Sequence, residues 1–200
     1  MRKTKIEQLR EIVREKKLVR AGDLDSYGIP RYCLASLVTS GEIERISRGV
    51  YAVVDSDASS NRTLAEAALR VPRGTVCLLS ALRFHNFTTQ IPSRVWLAID
   101  ANSWSPQESD IPLRIVRFSG EALTAGVEEH VIEQVPVKIY SAAKTVADCF
   151  KFRNKIGLDV ALEALRESLR ERKCTVDAIW KYAKICRISN VIRPYLEATV

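Results

Sequence analysis

IPRYCLASLVTSGEIERISRGVY, residues 29–51, is the stretch whose reading decides the fold of this chain. Pro30 suits the first turn of a helix, where its missing N–H leaves no bond unmade. Cys33, Leu34, Leu37 and Val38 recur at helical spacing and form one apolar stripe. The other face carries Arg31, Tyr32, Ala35, Ser36 and Thr39, small or polar, with its cation at the N-terminal end. Gly41 stops the helix. Glu42–Ile46 and Val50–Val54 then read as two strands joined by a turn at Ser47-Arg48-Gly49. A helix and hairpin of this kind can simply pack into an α/β core. They are also the last two parts of a winged helix-turn-helix, whose helix enters the major groove while its hairpin meets phosphate or minor groove.

The residues before this stretch favour the second reading. Thr4 and Glu7 make a capping box, and Ile6, Leu9, Ile12 and Val13 give the first helix a buried face. That helix frays by Lys16-Lys17. Leu18 and Val19 lead into a short second helix over Ala21–Tyr27, with Leu24 buried and Gly28 at its end. Helix, helix, glycine turn, helix, hairpin is the winged-helix order. Arg2 and Lys3 form a basic arm ahead of it.

Charge supports contact with a polyanion. The net +7 of these 200 residues is unevenly placed: 11 Lys+Arg against 7 Asp+Glu over residues 1–54, 7 against 10 over 55–137, and 13 against 7 over 138–200. Both ends are basic, which favours two separate cationic surfaces, although Lys/Arg-rich helices are often only solvated faces. An apolar fraction of 46% is ordinary for a globular protein, and no run approaches the ~20 apolar residues of a membrane span. The charged N-terminus does not read as a secretory signal, so a cytoplasmic protein is expected. Five scattered cysteines without a CxxC pair are expected to be reduced thiols, with neither metal site nor disulfide framework.

Residues 55–62, small, polar and charged, read as a linker. Beyond it Leu64, Ala67, Ala68 and Val71 mark a helix that stops before Pro72, and Ser80–Phe87 a short helix. Arg94–Asp100, Ile111–Phe118 and His130–Tyr140 read as strands, with Pro112 and Pro136 near edges or strand ends. Ser141–Phe152, Leu158–Arg172, Thr175–Ile185 and Ile188–Ala198 read as helices, the second built on Leu158, Ala161, Leu162, Leu165 and Leu169. The expected architecture is α+β (mixed α/β): a winged helix-turn-helix over 1–54, a linker over 55–62, and over 63–200 a domain with a small mixed sheet and a helical C-terminal half.

Catalytic patterns are thin. His85 and His130 lack a second His or Cys at ligand spacing, and His85 reads as packed. Ser80 sits in no GxSxG elbow, and the eight glycines make no phosphate loop. Neither catalytic residue nor cofactor is assigned, and no enzyme is expected.

RGVY (48–51), LLSALRFHNF (78–87) and KIYSAAKTVADCFKFRNKIGLDVALEALRESL (138–169) together resemble the AbiEi family, antitoxins of type IV toxin–antitoxin and abortive-infection systems of bacteria. The resemblance follows the chain from winged helix to C-terminal domain; residues 101–110 have no counterpart in it. It implies a DNA-binding repressor of its own operon that recognises inverted repeats in the promoter; self-association on DNA, as a preformed dimer or by separate loading of two copies, stays open. It also implies a C-terminal domain that neutralises a nucleotidyltransferase-like toxin without a stable complex. A winged-helix adaptor for another protein, or a metal-dependent nuclease targeted by a winged helix, are the competing readings.

The expected DNA contacts are Arg2, Lys3, Arg31, Tyr32, Ser36, Arg45 and Arg48. For the antitoxin surface the spacing of Lys144, Lys151 and Lys155 brings them to one side of an uninterrupted helix, with Arg153 near them.

Overall fold

A computed structural model describes residues 3–54, 61–103 and 112–198. The chain divides into two compact units: residues 1–72 with 106–112 and 131–137, and residues 73–105, 113–130 and 138–200.

The first unit is a winged helix. Helix α1 (Lys5–Lys16) opens on the expected capping box: Glu7 N donates to Thr4 Oγ1 at 3.2 Å, and Thr4 N to Glu7 Oε2 at 2.7 Å. Strand β1 (Leu18–Arg20) follows, then a 3₁₀ helix over Ala21–Tyr27 that ends at Gly28, φ 58°. The expected second helix is therefore a tighter 3₁₀ turn. Helix α2 (Tyr32–Thr39) leads into β2 (Ile43–Ser47) and β3 (Val50–Val53). Leu9, Val13, Leu24, Cys33, Leu34 and Leu37 meet in its core. Val38, expected in the apolar stripe of α2, is instead 38% exposed, because the narrow contact made by an eight-residue helix ends at Leu37. The sheet runs β1-β3-β2, so the wing has three strands rather than two. β1 was not legible as a strand because three residues show no alternation.

Helix α3 (Arg62–Arg70) begins in what reads as the linker and groups with the first unit. Arg62 holds it there, reaching Glu44 of β2 at 3.3 Å and Glu66 at 3.1 Å. Residues 55–60 of that linker, Arg2 and residues 104–111 lie outside the described residues.

A mixed sheet of order β6-β5-β4-β8-β7 follows, with β4 Thr75–Val76, β5 Val95–Asp100, β6 Leu113–Phe118, β7 Val127–Ile132 and β8 Val135–Tyr140; all of it falls in the second unit except residues 131–137 of the β7–β8 hairpin. Two neighbouring pairs, β5/β6 and β4/β8, are parallel, and β4/β5 is antiparallel. His130–Tyr140, expected as one strand, is the greater part of a hairpin. Glu133 and Gln134 both take positive φ (49° and 61°) and turn the chain there, without the glycine or asparagine that would have announced it. Pro112 precedes β6 and Pro136 is second in β8, where a missing N–H does least harm.

Helix α4 (Leu78–Phe84) and the short α5 (Glu121–Thr124) precede the helical half: α6 (Ala142–Lys151), α7 (Arg153–Ile156), α8 (Leu158–Arg170), α9 (Val176–Ile185) and α10 (Ser189–Glu197). Ser141 and Thr175 cap α6 and α9 as their sequences suggest. In α8 the buried face runs through Val160, Ala161, Ala164, Leu165 and Ser168, and Leu158 is 37% exposed. Helix α6 is the hub, buried from Ala143 through Phe150 and packed against α4, α8, α9 and α10.

That burial overturns one expectation. Lys144 is fully buried and cannot belong to a surface row. Its Nζ donates to both carboxylate oxygens of Asp148, at 2.7 and 2.6 Å, and lies 4.1 Å from the Tyr140 ring centre and 4.9 Å from that of Phe118. Cys186 Sγ reaches Asp148 Oδ1 at 3.3 Å. Burial pushes the Asp148 carboxyl up against the opposing pull of Lys144, and pushes the Cys186 thiol up to about 12. The row is also interrupted at Phe152, between α6 and α7.

Removing one member of such a pair leaves an uncompensated charge in the core. Asp148→Ala is expected to lower stability by about 3–5 kcal/mol in urea unfolding at pH 7, while Lys144→Met with Asp148→Leu recovers most of the loss. An unchanged midpoint for Asp148→Ala would contradict a working ion pair.

Candidate nucleic-acid interface

The division of α2 into two faces creates the interface. Cys33, Leu34 and Leu37 turn into the core, which leaves Arg31, Tyr32, Ala35, Ser36 and Thr39 in solvent. Tyr32 is 67% exposed, a large aromatic left uncovered beside the start of the helix. Arg31 is the N-cap residue of α2, and its Nη2 meets Asp25 Oδ2 at 3.1 Å with both side chains largely in water. Thr39 turns its hydroxyl back to the Ala35 carbonyl at 2.9 Å, so Ser36 is the freer hydroxyl of the two.

The wing adds cations beside this face. The β2–β3 register shifts between Arg45 and Ser47, a bulge that bends the strand. Arg45 is exposed, its Nε 3.4 Å from the Ser47 carbonyl. Arg48 stands at the turn itself, exposed and in no ion pair among the described residues. Gly49 supplies the positive φ, 77°, that this tight turn requires. Lys3 is exposed but tied to Glu11 at 2.6 Å, which leaves it a weaker candidate than Arg48.

Residues 7–54, spanning nearly all of this winged helix, match the family model described as a transcriptional regulator, AbiEi antitoxin. The match covers the winged helix alone, which is thus similar to the AbiEi antitoxin regulators. No curated protein matches the chain. The matched model describes a transcriptional regulator, so the exposed side of α2 and the wing are the surface to consider. Among the described residues no helix is long and apolar enough to cross a membrane.

Sequence reasoning missed Arg20. In β1 it pairs with Val50, and the following amide, Ala21 N, donates to the Gly49 carbonyl at 2.8 Å. That places an exposed cation beside the Arg48 turn. The available signal was the position of Arg20 after the apolar pair Leu18-Val19, which completes the third strand.

Of the expected antitoxin residues, Lys151 and Lys155 are exposed, Arg153 is half-buried and donates to the Phe150 carbonyl at 3.1 Å, and Lys144 is excluded by its burial. The second cationic pair, Arg166 and Arg170, is partly neutralised, since Arg170 meets Glu167.

A fork ties α1 to the base of the wing. Arg10 Nε and Nη2 donate to Glu42 at 2.6 and 2.9 Å, and Ser40 Oγ adds a bond at 2.9 Å. These donors hold the Glu42 carboxyl down at about 2. A lowered carboxylate contributes stability above its ordinary range and loses it as the pH falls through its folded value. Acid unfolding followed by circular dichroism should therefore show a loss between about pH 4.5 and about pH 2 that Glu42→Gln flattens. Identical acid limbs in the two proteins would rule out this contribution.

Proposed function

We propose that this chain represses its own operon by binding inverted repeats in the promoter, one winged helix to each half-site. Arg31, Tyr32 and Ser36 enter the major groove; Arg45 and Arg48 grip phosphate from the wing, with Arg20 alongside and Arg2 and Lys3 as a basic arm. The observation that carries this reading is the solvent-facing side of α2, which serves no packing role and adjoins a cationic turn. The protein acts in the cytoplasm, and it is a binding protein rather than an enzyme.

The pairing of Arg31 with Asp25 refines the expectation. On DNA that ion pair must open, and removing the acid frees the guanidinium for base or phosphate. In mobility-shift titrations against the upstream DNA of its operon, Arg48→Ala should weaken binding on every sequence and reduce the salt slope by about 1. Arg31→Ala should cost about 1–3 kcal/mol at the operator if it reads a guanine, and Asp25→Asn should tighten binding. Binding without sequence preference or salt dependence would exclude the repressor reading.

As an antitoxin of the type IV, abortive-infection kind, the chain neutralises a nucleotidyltransferase-like toxin without holding it in a stable complex. Of the cations expected to serve that role, Lys151 and Lys155 are exposed, with Arg153 positioning the turn between them. The double variant Lys151→Glu/Lys155→Glu should still shift operator DNA yet fail to rescue cells that express the toxin. Full rescue would locate the neutralising surface elsewhere.

A further inference from the structure

The second unit carries a groove of about 500 Å³ at β6, the edge strand of its sheet among the described residues. Strand β6 forms its wall, and Arg94, Trp96, Phe152 and Lys155 complete the lining. The β5–β6 register pairs Trp96 with Arg114, and the Arg114 guanidinium lies 5.6 Å from the Trp96 ring centre. Lys155 Nζ lies 5.6 Å from the ring centre of Phe152. Arg94, Arg114 and Lys155 enter no ion pair among the described residues, and none of the described residues lining the groove is acidic. Arg117, by contrast, is held: its Nη1 donates to the carbonyls of Ala101 and Ser103 at 2.7 and 2.9 Å.

We propose that this groove binds single-stranded nucleic acid. Three uncompensated cations in one concave site call for a polyanion. The Trp96 and Phe152 rings, each partly buried against the core with a cation 5.6 Å from its centre, and the plane of the Arg114 guanidinium offer flat surfaces on which a base can stack, a contact that tolerates any sequence. β6 is an edge strand, so the peptide groups on its outer side face no other described strand and can meet the edge of a splayed base. A duplex keeps its base faces stacked inside, and an acidic peptide has no such faces, so the rings favour the single strand. The groove shares Lys155 with the proposed antitoxin surface. It is tested on Arg94 and Arg114, which that surface does not use, so the two readings can fail separately.

The test is fluorescence anisotropy of the full chain with a labelled 12-nucleotide oligouridylate, competed by an unrelated 12-base-pair duplex and by poly-glutamate. The parent should bind the single strand in a salt-dependent way. Arg94→Gln with Arg114→Gln should weaken binding at least about tenfold and lower the salt slope by about 1.4, at about 0.7 per phosphate contact. Both arginines are exposed, so the double variant should unfold thermally like the parent. Trp96→Leu should lose affinity with the slope unchanged, and Trp96→Phe should restore most of it. The winged-helix variant Arg48→Ala should bind the oligouridylate like the parent. The proposal is overturned if the parent does not bind, if the double arginine variant binds as well as the parent, or if duplex or poly-glutamate displaces the single strand as effectively as unlabelled oligouridylate does.

Discussion

The bond between Lys144 and Asp148 constrains the second unit more than any other polar contact in it. An ammonium and a carboxylate with no exposure are tolerable only if each satisfies the other, because an isolated ion in that setting costs far more than folding provides. Two of the three ammonium protons go to Asp148, and the third side of Nζ faces the rings of Tyr140 and Phe118. This arrangement fixes α6 against β8 and β6, and through Cys186 against the end of α9. It also fixes what may approach. A Cβ on Gly126 would stand 2.9 Å from both Lys144 Cβ and Tyr182 Cε1, so the backbone there closes on α6 only because it carries no side chain. The Gly126 carbonyl then accepts from Ser141 N at 2.7 Å, where α6 begins.

That pair also marks where sequence reading went astray. Spacing among the lysines alone, seven and then four residues, suggested a cationic row. The nearer signal was the acid four residues after Lys144, with alanine, valine, cysteine and phenylalanine around both. A lysine and an aspartate one turn apart on a segment otherwise apolar all round describe a buried helix with an internal ion pair. Where apolar spacing and caps carried the information, the order of elements was legible: Thr4, Ser141 and Thr175 all cap as read, and Leu9, Leu34 and Leu37 all lie in the core. What escaped was set by partners distant in sequence. β1 is a strand because β3 lies beside it, and Glu133-Gln134 is a turn because its flanking strands pair.

The winged helix shows the same division at the level of single side chains. The core needs only three positions of α2, and the short helix presents the rest to solvent. Which of the outward residues are chemically available is a separate matter, decided by neighbours the sequence does not reveal. Asp25 occupies Arg31, the Ala35 carbonyl occupies Thr39, and Glu11 occupies Lys3. The wing residue Arg48 has no such partner among the described residues.

Net charge sharpens that distinction. With 31 Lys+Arg against 24 Asp+Glu, one-to-one pairing must leave at least seven cations over, and the question is only where they fall. Arg10, Arg62 and Lys144 are each matched by an acid that positions a helix or strand. Arg48, Arg94, Arg114 and Lys155 are not matched among the described residues. Exposed cations repel one another only weakly in water, so leaving them unmatched costs folding little. A polyanion, however, exchanges its condensed counterions for them and gains with each one. Cations that folding leaves unmatched are therefore available for binding, and among them Arg48 stands at the wing and Arg94, Arg114 and Lys155 at the edge strand of the sheet.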